Sequence, residues 1–294
     1  MNRDCCQVND DRLNRRKSLP SALDRSVVDR LARTRLAIFL DYDGTLTPIV
    51  RDPNGAVLSS ETHKVIAKLG SIFPVTILSG RDVGFLKRMV GLKNVIYAGS
   101  HGFDVSFWDE KKIGKTRNWK EFLPNLNLAE EFLRQELSGL AGVLVERKRF
   151  SIAVHYRRVT KSNQAVLKKR FNKIALQFPA LKICFGKMIL ELLPNVDWNK
   201  GTTLLSLVEI LDPKALPVFI GDDLTDEDAF RVIKDKGAGI LVGKSKRYTS
   251  ARYSLRNHSE VRVFLEQLIR IRRSSISLHQ ESRNDLNQFR ALCS

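Results

Sequence analysis

The sequence predicts an α/β fold: a doubly wound, Rossmann-like parallel sheet with a second, α+β domain inserted into it. In the two outer parts of the chain, short apolar runs alternate with segments of helical period, which is typical of a parallel sheet covered by helices on both sides. In the middle of the chain, polar and apolar residues alternate as they do in antiparallel hairpins. A length of 294 residues is enough for two domains, since domains usually have roughly 50 to 250 residues.

The strands of the main sheet are predicted from short runs that are mainly apolar, because strands of a parallel sheet are buried on both faces. These runs lie at 36–40, 74–80, 94–100, 217–223 and 238–243. The segments between them that have apolar residues at helical spacing lie at 60–72, 82–90, 200–211 and 225–235. In such a sheet, ligands bind beyond the carboxyl ends of the strands.

The inserted domain has its own pattern. Residues 143–159 alternate over two segments, which predicts a hairpin, and a helical period follows at 161–178. Residues 183–194 predict a second hairpin that turns at Phe185 and Gly186.

The two ends of the chain are less regular. Residues 22–32 have the spacing of a short helix capped by Ser21, and disorder is expected before it. Residues 260–273 are amphipathic and are expected to close the core. The predicted organisation is therefore a basic, partly disordered leader at 1–35, a core at 36–104 and 194–275, an inserted α+β domain at 105–193 and a tail at 276–294.

The positive charge is concentrated in the inserted domain. The net charge is +18, and residues 145–190 contain twelve Lys and Arg against the single acid Glu146. A basic module can attract nucleic acid, a membrane surface or a phosphorylated small molecule, and composition alone does not choose among them.

Localisation is predicted from what the sequence lacks. No apolar run approaches the ~20 residues that span a bilayer, and the first 35 residues, with five Asp, are unlike a secretory signal. The four cysteines are too scattered for a disulfide framework, and Cys184 is expected to be a small core residue. We expect a cytoplasmic protein with no membrane partner, acting as a monomer.

The chemistry is expected where the first strand ends. Asp41 and Asp43 directly follow the apolar run 36–40, and their spacing of two allows both to point to the same side. Two carboxylates this close repel each other unless a cation neutralises them, and a hard divalent ion such as Mg²⁺ prefers oxygen ligands. Taken alone, the pair would more simply be interpreted as two acids that end a strand in solvent.

Three further segments repeat the arrangement of polar residues at strand or helix ends. Asp222 and Asp223 end the predicted strand segment 217–223, and the acids after them suit the start of a helix. The remaining candidates are Ser79, Gly80 and Arg81 in the segment LSGR, and Lys200 at the start of the helix at 200–211.

The order DYDGT, LSGR, WNKG and GDDLTDED resembles the four motifs of the haloacid dehalogenase superfamily of phosphatases. More narrowly, AGSHG at 98–102, ERKRFSIAVHYR at 146–157, KMILELLPNVDWNKG at 187–201 and IGDDLTDEDAF at 220–230 resemble the trehalose-6-phosphate phosphatase family. The resemblance covers roughly residues 36–245.

The resemblance implies a role for each core residue. Asp41 would be the nucleophile that becomes an aspartyl-phosphate, and Asp43 would be the general acid and base. Lys200 would balance charge, and Ser79 with the Gly80 amide would hold phosphate oxygens. The implied Mg²⁺ ligands are Asp41, the main-chain carbonyl of Asp43, and Asp222, with Asp223 and Asp226 supporting them.

The resemblance also implies that the inserted domain is a cap that reads a phosphosugar. The matching cap positions are Glu146, Lys148, Arg157, Lys187 and Glu191, and those at the core rim are Arg81, His101 and Gly102. His101 as a packed, hydrogen-bonded residue is an open alternative. Four cations on the helix at 161–178 are expected to be solvated: Lys168, Lys169, Arg170 and Lys173.

Three functions remain open at this point: hydrolysis of trehalose 6-phosphate, hydrolysis of another sugar phosphate, and binding of a phosphosugar or nucleic acid without hydrolysis. The complete set of Asp41, Asp43, Lys200 and Asp222 argues against a degenerate core. The basic cap lacks the exposed aromatic pairs that stack bases, so nucleic acid is not expected as a partner.

Overall fold

The computed structural model describes residues 19–50, 55–108, 119–186, 188–243 and 248–292, with side chains described up to residue 275. Its strands are, in chain order, β1 (Leu36–Leu40), β2 (Val75–Leu78), β3 (Ile96–Gly99), β4 (Asp104–Ser106), β5 (Leu144–Lys148), β6 (Ser151–His155), β7 (Leu181–Gly186), β8 (Ile189–Pro194), β9 (Leu216–Gly221), β10 (Ala238–Val242) and β11 (Tyr253–Leu255). Its α-helices are α1 (Arg25–Arg33), α2 (Ser60–Gly70), α3 (Val83–Val90), α4 (Leu123–Leu137), α5 (Lys161–Ala175), α6 (Lys200–Leu211), α7 (Glu227–Ile233) and α8 (His258–Leu292).

The larger sheet has the order β11-β10-β9-β1-β2-β3-β4. Its neighbouring strands are parallel except β3 and β4, which are antiparallel. β1 lies at the centre, and alternate residues face opposite layers. Ile38 belongs to the apolar cluster that contains residues of α1, α2, α3 and α8, whereas Phe39 belongs to the cluster that contains residues of α6 and α7. The strand is apolar throughout because both of its faces are buried, and the predicted α/β core is confirmed.

The smaller sheet is antiparallel, with the order β5-β6-β8-β7. One face packs on α4 and α5 through Val145, Ile152, Leu190 and neighbouring apolar residues. The opposite face carries Glu146, Lys148 and Glu191, which line a cavity shared with the larger sheet. We refer to this α+β unit as the cap.

Both ends of the chain contribute to the core. Val28 and Leu31 of α1 are buried with Phe264 and Leu268 of α8, so the amphipathic pattern at 260–273 marks a core helix as predicted. Among the described helices, none combines the length and apolarity needed to cross a membrane.

Two local predictions were wrong, and a third was only partly confirmed. α1 begins after Asp24 rather than at a Ser21 cap, and the Ser21 hydroxyl instead accepts the Leu23 N–H. Gly186 pairs with Ile189, so Gly186 ends β7 instead of forming the hairpin turn. Cys184 is half-buried: it packs against the apolar cluster that contains Trp119, as expected for a core residue, but it also lines the cavity because it lies opposite Glu191 on the polar face of the cap sheet.

Candidate active site

The carboxyl ends of β1, β2 and β9 meet the polar face of the cap across a cavity of about 510 Å³. This volume lies within the range of typical small-molecule sites, roughly 300 to 1,000 Å³. The predicted residues that line the cavity are Asp41, Asp43, Ser79, Gly80, Arg81, His101, Glu146, Lys148, Arg157, Glu191, Lys200, Asp222 and Asp223.

Lys200 joins two of the predicted core segments. It is the first residue of α6, whose start is fixed by a capping box between Asn199 and Thr202. Its buried Nζ donates to Asp41 Oδ1 at 2.8 Å and to Asp226 Oδ1 at 2.7 Å. Burial lowers the pKa of Lys200, but the carboxylates of Asp226 and Asp41 outweigh that effect and raise it above its usual value.

Asp226 organises the turn that follows β9. Its Oδ2 accepts the backbone N–H groups of Asp222 and Asp223, each at 2.8 Å. Because its Oδ1 accepts from Lys200, this fully buried carboxylate connects the Asp222 turn to the Lys200 ammonium. Asp223 lines the cavity and accepts the Leu224 N–H.

Asp41, Asp222 and Asp226 form a cluster that suits a divalent cation. One carboxylate oxygen from each residue lies within 4.8 Å of the others. Burial raises the pKa of Asp41 well above its usual value; the Lys200 ammonium opposes this shift, and Asp226 and Asp222 add to it. Three carboxylates against one ammonium leave negative charge that a hard cation with oxygen ligands, such as Mg²⁺, would neutralise.

Gly44 allows Asp222 to approach this cluster. Its φ of +87° is in the left-handed region, and a Cβ at this position would lie 2.4 Å from Asp222 Oδ2. The DYDG segment therefore needs glycine both for its backbone conformation and for the space that the Asp222 carboxylate occupies.

The Asp43 carboxylate lies outside the three-carboxylate cluster. Arg81 holds it with two hydrogen bonds, from Nε to Oδ2 at 2.6 Å and from Nη2 to Oδ1 at 2.7 Å. The Arg81 guanidinium also stacks on the Phe85 ring, with 4.4 Å from Cζ to the ring centroid. Arg81, predicted as a substrate contact, therefore also fixes the predicted acid and base.

The loop after β2 connects the core to the cap. Ser79 is buried, and its Oγ accepts the Arg81 N–H at 3.3 Å. Lys148 of the cap donates from Nζ to the Gly80 carbonyl at 2.7 Å. A residue predicted to read the sugar thus contacts the loop that is predicted to hold phosphate.

Glu191 is the centre of a buried network between cap and core. Its Oε1 accepts from Lys148 Nζ at 2.7 Å and from Ser151 Oγ at 2.6 Å, and its Oε2 lies 3.1 Å from His101 Nε2. Burial alone would raise the pKa of Glu191, but Lys148 and His101 lower it well below its usual range. His101 is therefore hydrogen-bonded as well as being at the cavity wall.

The other predicted cap residues have different surroundings. Glu146 Oε2 lies 2.6 Å from His155 Nε2, and this hydrogen bond is the largest cause of the lowered pKa of Glu146. Arg157 lines the cavity beyond the end of β6. Lys187 lies outside the described residues. The cations on α5, at 168–170 and 173, are exposed as predicted.

Gly102, which was predicted as a substrate contact at the core rim, has different surroundings from the other rim residues. Gly102 is absent from the described cavity wall and packs against α6, where a Cβ would lie 1.9 Å from Thr203 Oγ1. Its φ is +95°, and its carbonyl accepts from Trp198 Nε1 at 3.3 Å. Gly102 therefore provides close packing beneath the site.

Several polar residues of the site were not predicted as site residues: Arg158 and Thr225 line the cavity, and Ser151 and His155 contact its carboxylates. Ser151 and His155 both lie on β6, each two residues from Ala153 and on the same face, and Ala153 lies opposite Glu146 and Glu191 of the flanking strands. The period-2 alternation of 151–155 indicates that Ser151 and His155 share a face of the strand. It does not say which residues they contact, because that depends on the register between neighbouring strands.

Comparison with known proteins identifies the family. Residues 39–259 match the family described as Trehalose-phosphatase. Trehalose-phosphate phosphatase B of Arabidopsis thaliana is 35% identical over 288 residues, covering 93% of this chain and 77% of that protein. A rice protein, probable trehalose-phosphate phosphatase 3, is 36% identical over 274 residues, covering 86% and 75%.

A solved structure gives the same result. The C-terminal domain of the trehalose-6-phosphate phosphatase of C. albicans superposes with a TM-score of 0.70 at 26% identity, covering 85% of this chain and 98% of that one. A haloacid dehalogenase-like hydrolase from Bacteroides thetaiotaomicron, 16% identical with a TM-score of 0.57, shares the fold. The chain therefore belongs to the trehalose-phosphatase family, a family of phosphoric monoester hydrolases.

Proposed function

We propose that this protein is a Mg²⁺-dependent phosphatase that hydrolyses trehalose 6-phosphate to trehalose and phosphate through an aspartyl-phosphate at Asp41. The observation that carries the proposal is one cavity lined both by the Asp41–Lys200 pair and by the polar face of the cap. The family match and the relatives named trehalose-phosphate phosphatase support this substrate.

In the first step, a carboxylate oxygen of Asp41 bonds to phosphorus while the bond from phosphorus to the sugar oxygen breaks. Asp43 donates a proton to that oxygen as it leaves. In the second step, Asp43 takes a proton from water, the water oxygen bonds to phosphorus, and the Asp41 carboxylate and inorganic phosphate are released. Arg81 keeps Asp43 in place for both proton transfers.

The residues around Asp41 prepare it for this attack. Lys200 orients the carboxylate and offsets negative charge, and Ser79 with the Gly80 amide holds phosphate oxygens. Bound by Asp41, the Asp43 carbonyl and Asp222, Mg²⁺ would supply the positive charge that lets an anionic nucleophile approach an anionic phosphate. Asp226 and Asp223 keep the Asp222 turn in position.

In this proposal, the core at 36–104 and 194–275 performs the phosphate chemistry, and the cap at 105–193 recognises the disaccharide. The hydroxyl contacts would come from Glu146, Lys148, Arg157, Lys187 and Glu191, with Arg81 and His101 at the core rim. Charged side chains suit this task because they form the stronger hydrogen bonds to hydroxyls in a closed site.

The proposal is tested by measuring phosphate release from a panel of sugar phosphates with Mg²⁺ and with EDTA. We expect turnover of trehalose 6-phosphate with Mg²⁺ and its loss with EDTA. Broad turnover of unrelated sugar phosphates would contradict the substrate assignment, and binding without turnover would indicate a regulator.

The same proposal includes a cytoplasmic location and a monomeric state. Light scattering during size-exclusion chromatography tests the oligomeric state, and microscopy of a fluorescent fusion tests the location in the cell. A stable dimer would contradict the monomeric state, and fluorescence confined to an organelle would contradict the cytoplasmic location. Neither result would affect the catalytic assignment.

A further inference from the structure

We propose that His155, on the cap strand β6, is a positioning residue that fixes the Glu146 carboxylate for recognition of the sugar. This inference rests on the proposed function, because it concerns the sugar side of the same cavity. His155 acts through Glu146, by a hydrogen bond from its ring to the carboxylate.

The geometry of the cap sheet places the two side chains together. In the β5–β6 pair, Leu144 lies opposite His155 and Glu146 lies opposite Ala153. Glu146 and His155 are therefore diagonal neighbours on the same face, a separation that aromatic and long side chains can bridge. Ala153 lies between them and is fully buried, and its small side chain leaves room for the ring to lean toward Glu146.

The contact is short and partly shielded from water. Nε2 of His155 lies 2.6 Å from Glu146 Oε2, and the two side chains are 15% and 32% exposed. Both line the cavity. A hydrogen bond to an ionised acceptor is stronger than one between neutral groups, and the low pKa of Glu146 keeps that acceptor ionised at neutral pH.

The second cavity carboxylate has a matching arrangement, which supports a positioning role. Glu191 lies opposite Ala153 on β8, so Ser151 is its diagonal neighbour, and the Ser151 hydroxyl donates to it at 2.6 Å. On both sides of Ala153, a polar residue of β6 thus holds a carboxylate of the neighbouring strand. Glu191 also hydrogen-bonds to the core through His101, whereas the hydrogen bond that Glu146 makes with His155 lies within the cap.

A carboxylate fixed in this way can accept hydrogen bonds from a sugar hydroxyl at little entropic cost. Each carboxylate has several lone-pair sites, so the bond from His155 leaves capacity for a ligand. Without the imidazole, the Glu146 side chain would have to be ordered by the substrate, and that cost would appear as weaker binding.

The test compares His155→Phe, which removes the hydrogen bond, with His155→Gln, whose amide nitrogen can occupy the place of Nε2. Steady-state kinetics would use the sugar phosphate that the wild-type protein hydrolyses best and, in parallel, p-nitrophenyl phosphate. We expect His155→Phe to raise KM for the sugar phosphate roughly tenfold, in the range of a lost charge-assisted hydrogen bond, with kcat and p-nitrophenyl phosphate hydrolysis nearly unchanged. His155→Gln should restore most of the loss.

A double-mutant cycle shows whether His155 acts through Glu146. If it does, His155→Phe should have little further effect in a Glu146→Ala background. His63→Gln, a change of a half-buried histidine on α2 away from the cavity, is the matched control.

The inference would be overturned by an unchanged KM in His155→Phe, by equal losses in His155→Phe and His155→Gln, or by additive losses with Glu146→Ala. Equal losses on both substrates would also do so, since they indicate a general structural defect. Because the best substrate of the panel is used, failure of trehalose 6-phosphate as the substrate would leave these comparisons readable.

Discussion

Substitution of Glu191 by glutamine tests the buried network between cap and core. The change removes the negative charge beside the Lys148 ammonium, whose side chain is only 7% exposed. Breaking a buried ion pair by changing one partner typically costs about 3–5 kcal/mol. Because glutamine keeps one acceptor for Lys148 and Ser151, we expect a loss at the lower end, about 3 kcal/mol at pH 7.

The size of this loss should depend on pH in a defined direction. The folded protein holds the pKa of Glu191 below its ordinary value of 4.5, so the unfolded chain binds more protons and stability rises with pH. The contribution is complete well above pH 4.5 and declines as the pH falls. For an unfolded pKa of 4.5, the decline between pH 7 and pH 4 is about 0.8 kcal/mol.

The assay is urea denaturation followed by circular dichroism at pH 7 and pH 4. Glu209→Gln, at an exposed position of α6, is the control. Equal stabilities with and without Glu191→Gln at pH 7, or a difference that grows as the pH falls, would refute the reasoning.

Three further substitutions probe the site and its surroundings. Gly102→Ala should destabilise the protein by about 3 kcal/mol or more in thermal unfolding, because its positive φ and the Thr203 contact leave no room for a Cβ; an unchanged melting temperature would contradict this. Arg81→Lys should lower kcat roughly tenfold, since lysine cannot hold Asp43 with two parallel bonds; unchanged kcat would exclude the positioning role. Lys169→Gln should leave kcat/KM unchanged at ordinary salt, because the residue is exposed on α5; a large loss would indicate an overlooked role.

The sequence alone was sufficient to predict the core fold and to predict that its polar motifs lie close together. The apolar runs that became β1 and β9 are buried on both faces, so burial and sequence pattern coincide. Once these strands are parallel neighbours, Asp41 and Asp222 must come close at their carboxyl ends. Topology made this convergence predictable without knowledge of any side-chain contact.

The contacts that depend on register or on chain direction could not be predicted in the same way. The pairing of His155 with Glu146 needs the alignment of β5 and β6, which residue pattern alone does not fix. Asp226 could be explained by its place at a helix start, so its bond to Lys200 gave no signal in the sequence. Gly102 was grouped with its neighbour His101, although the backbone turns the two residues toward different sides.

The central claim is that Asp41 is the nucleophile, and trapping the covalent intermediate tests it most directly. The protein would be mixed with trehalose 6-phosphate and Mg²⁺, quenched in acid during turnover, digested and analysed by mass spectrometry. We predict a phosphoryl group on the peptide that contains Asp41, and its absence from the Asp41→Asn protein, which should also release no phosphate. Phosphoryl transfer to another residue, or substantial turnover by Asp41→Asn, would contradict the account.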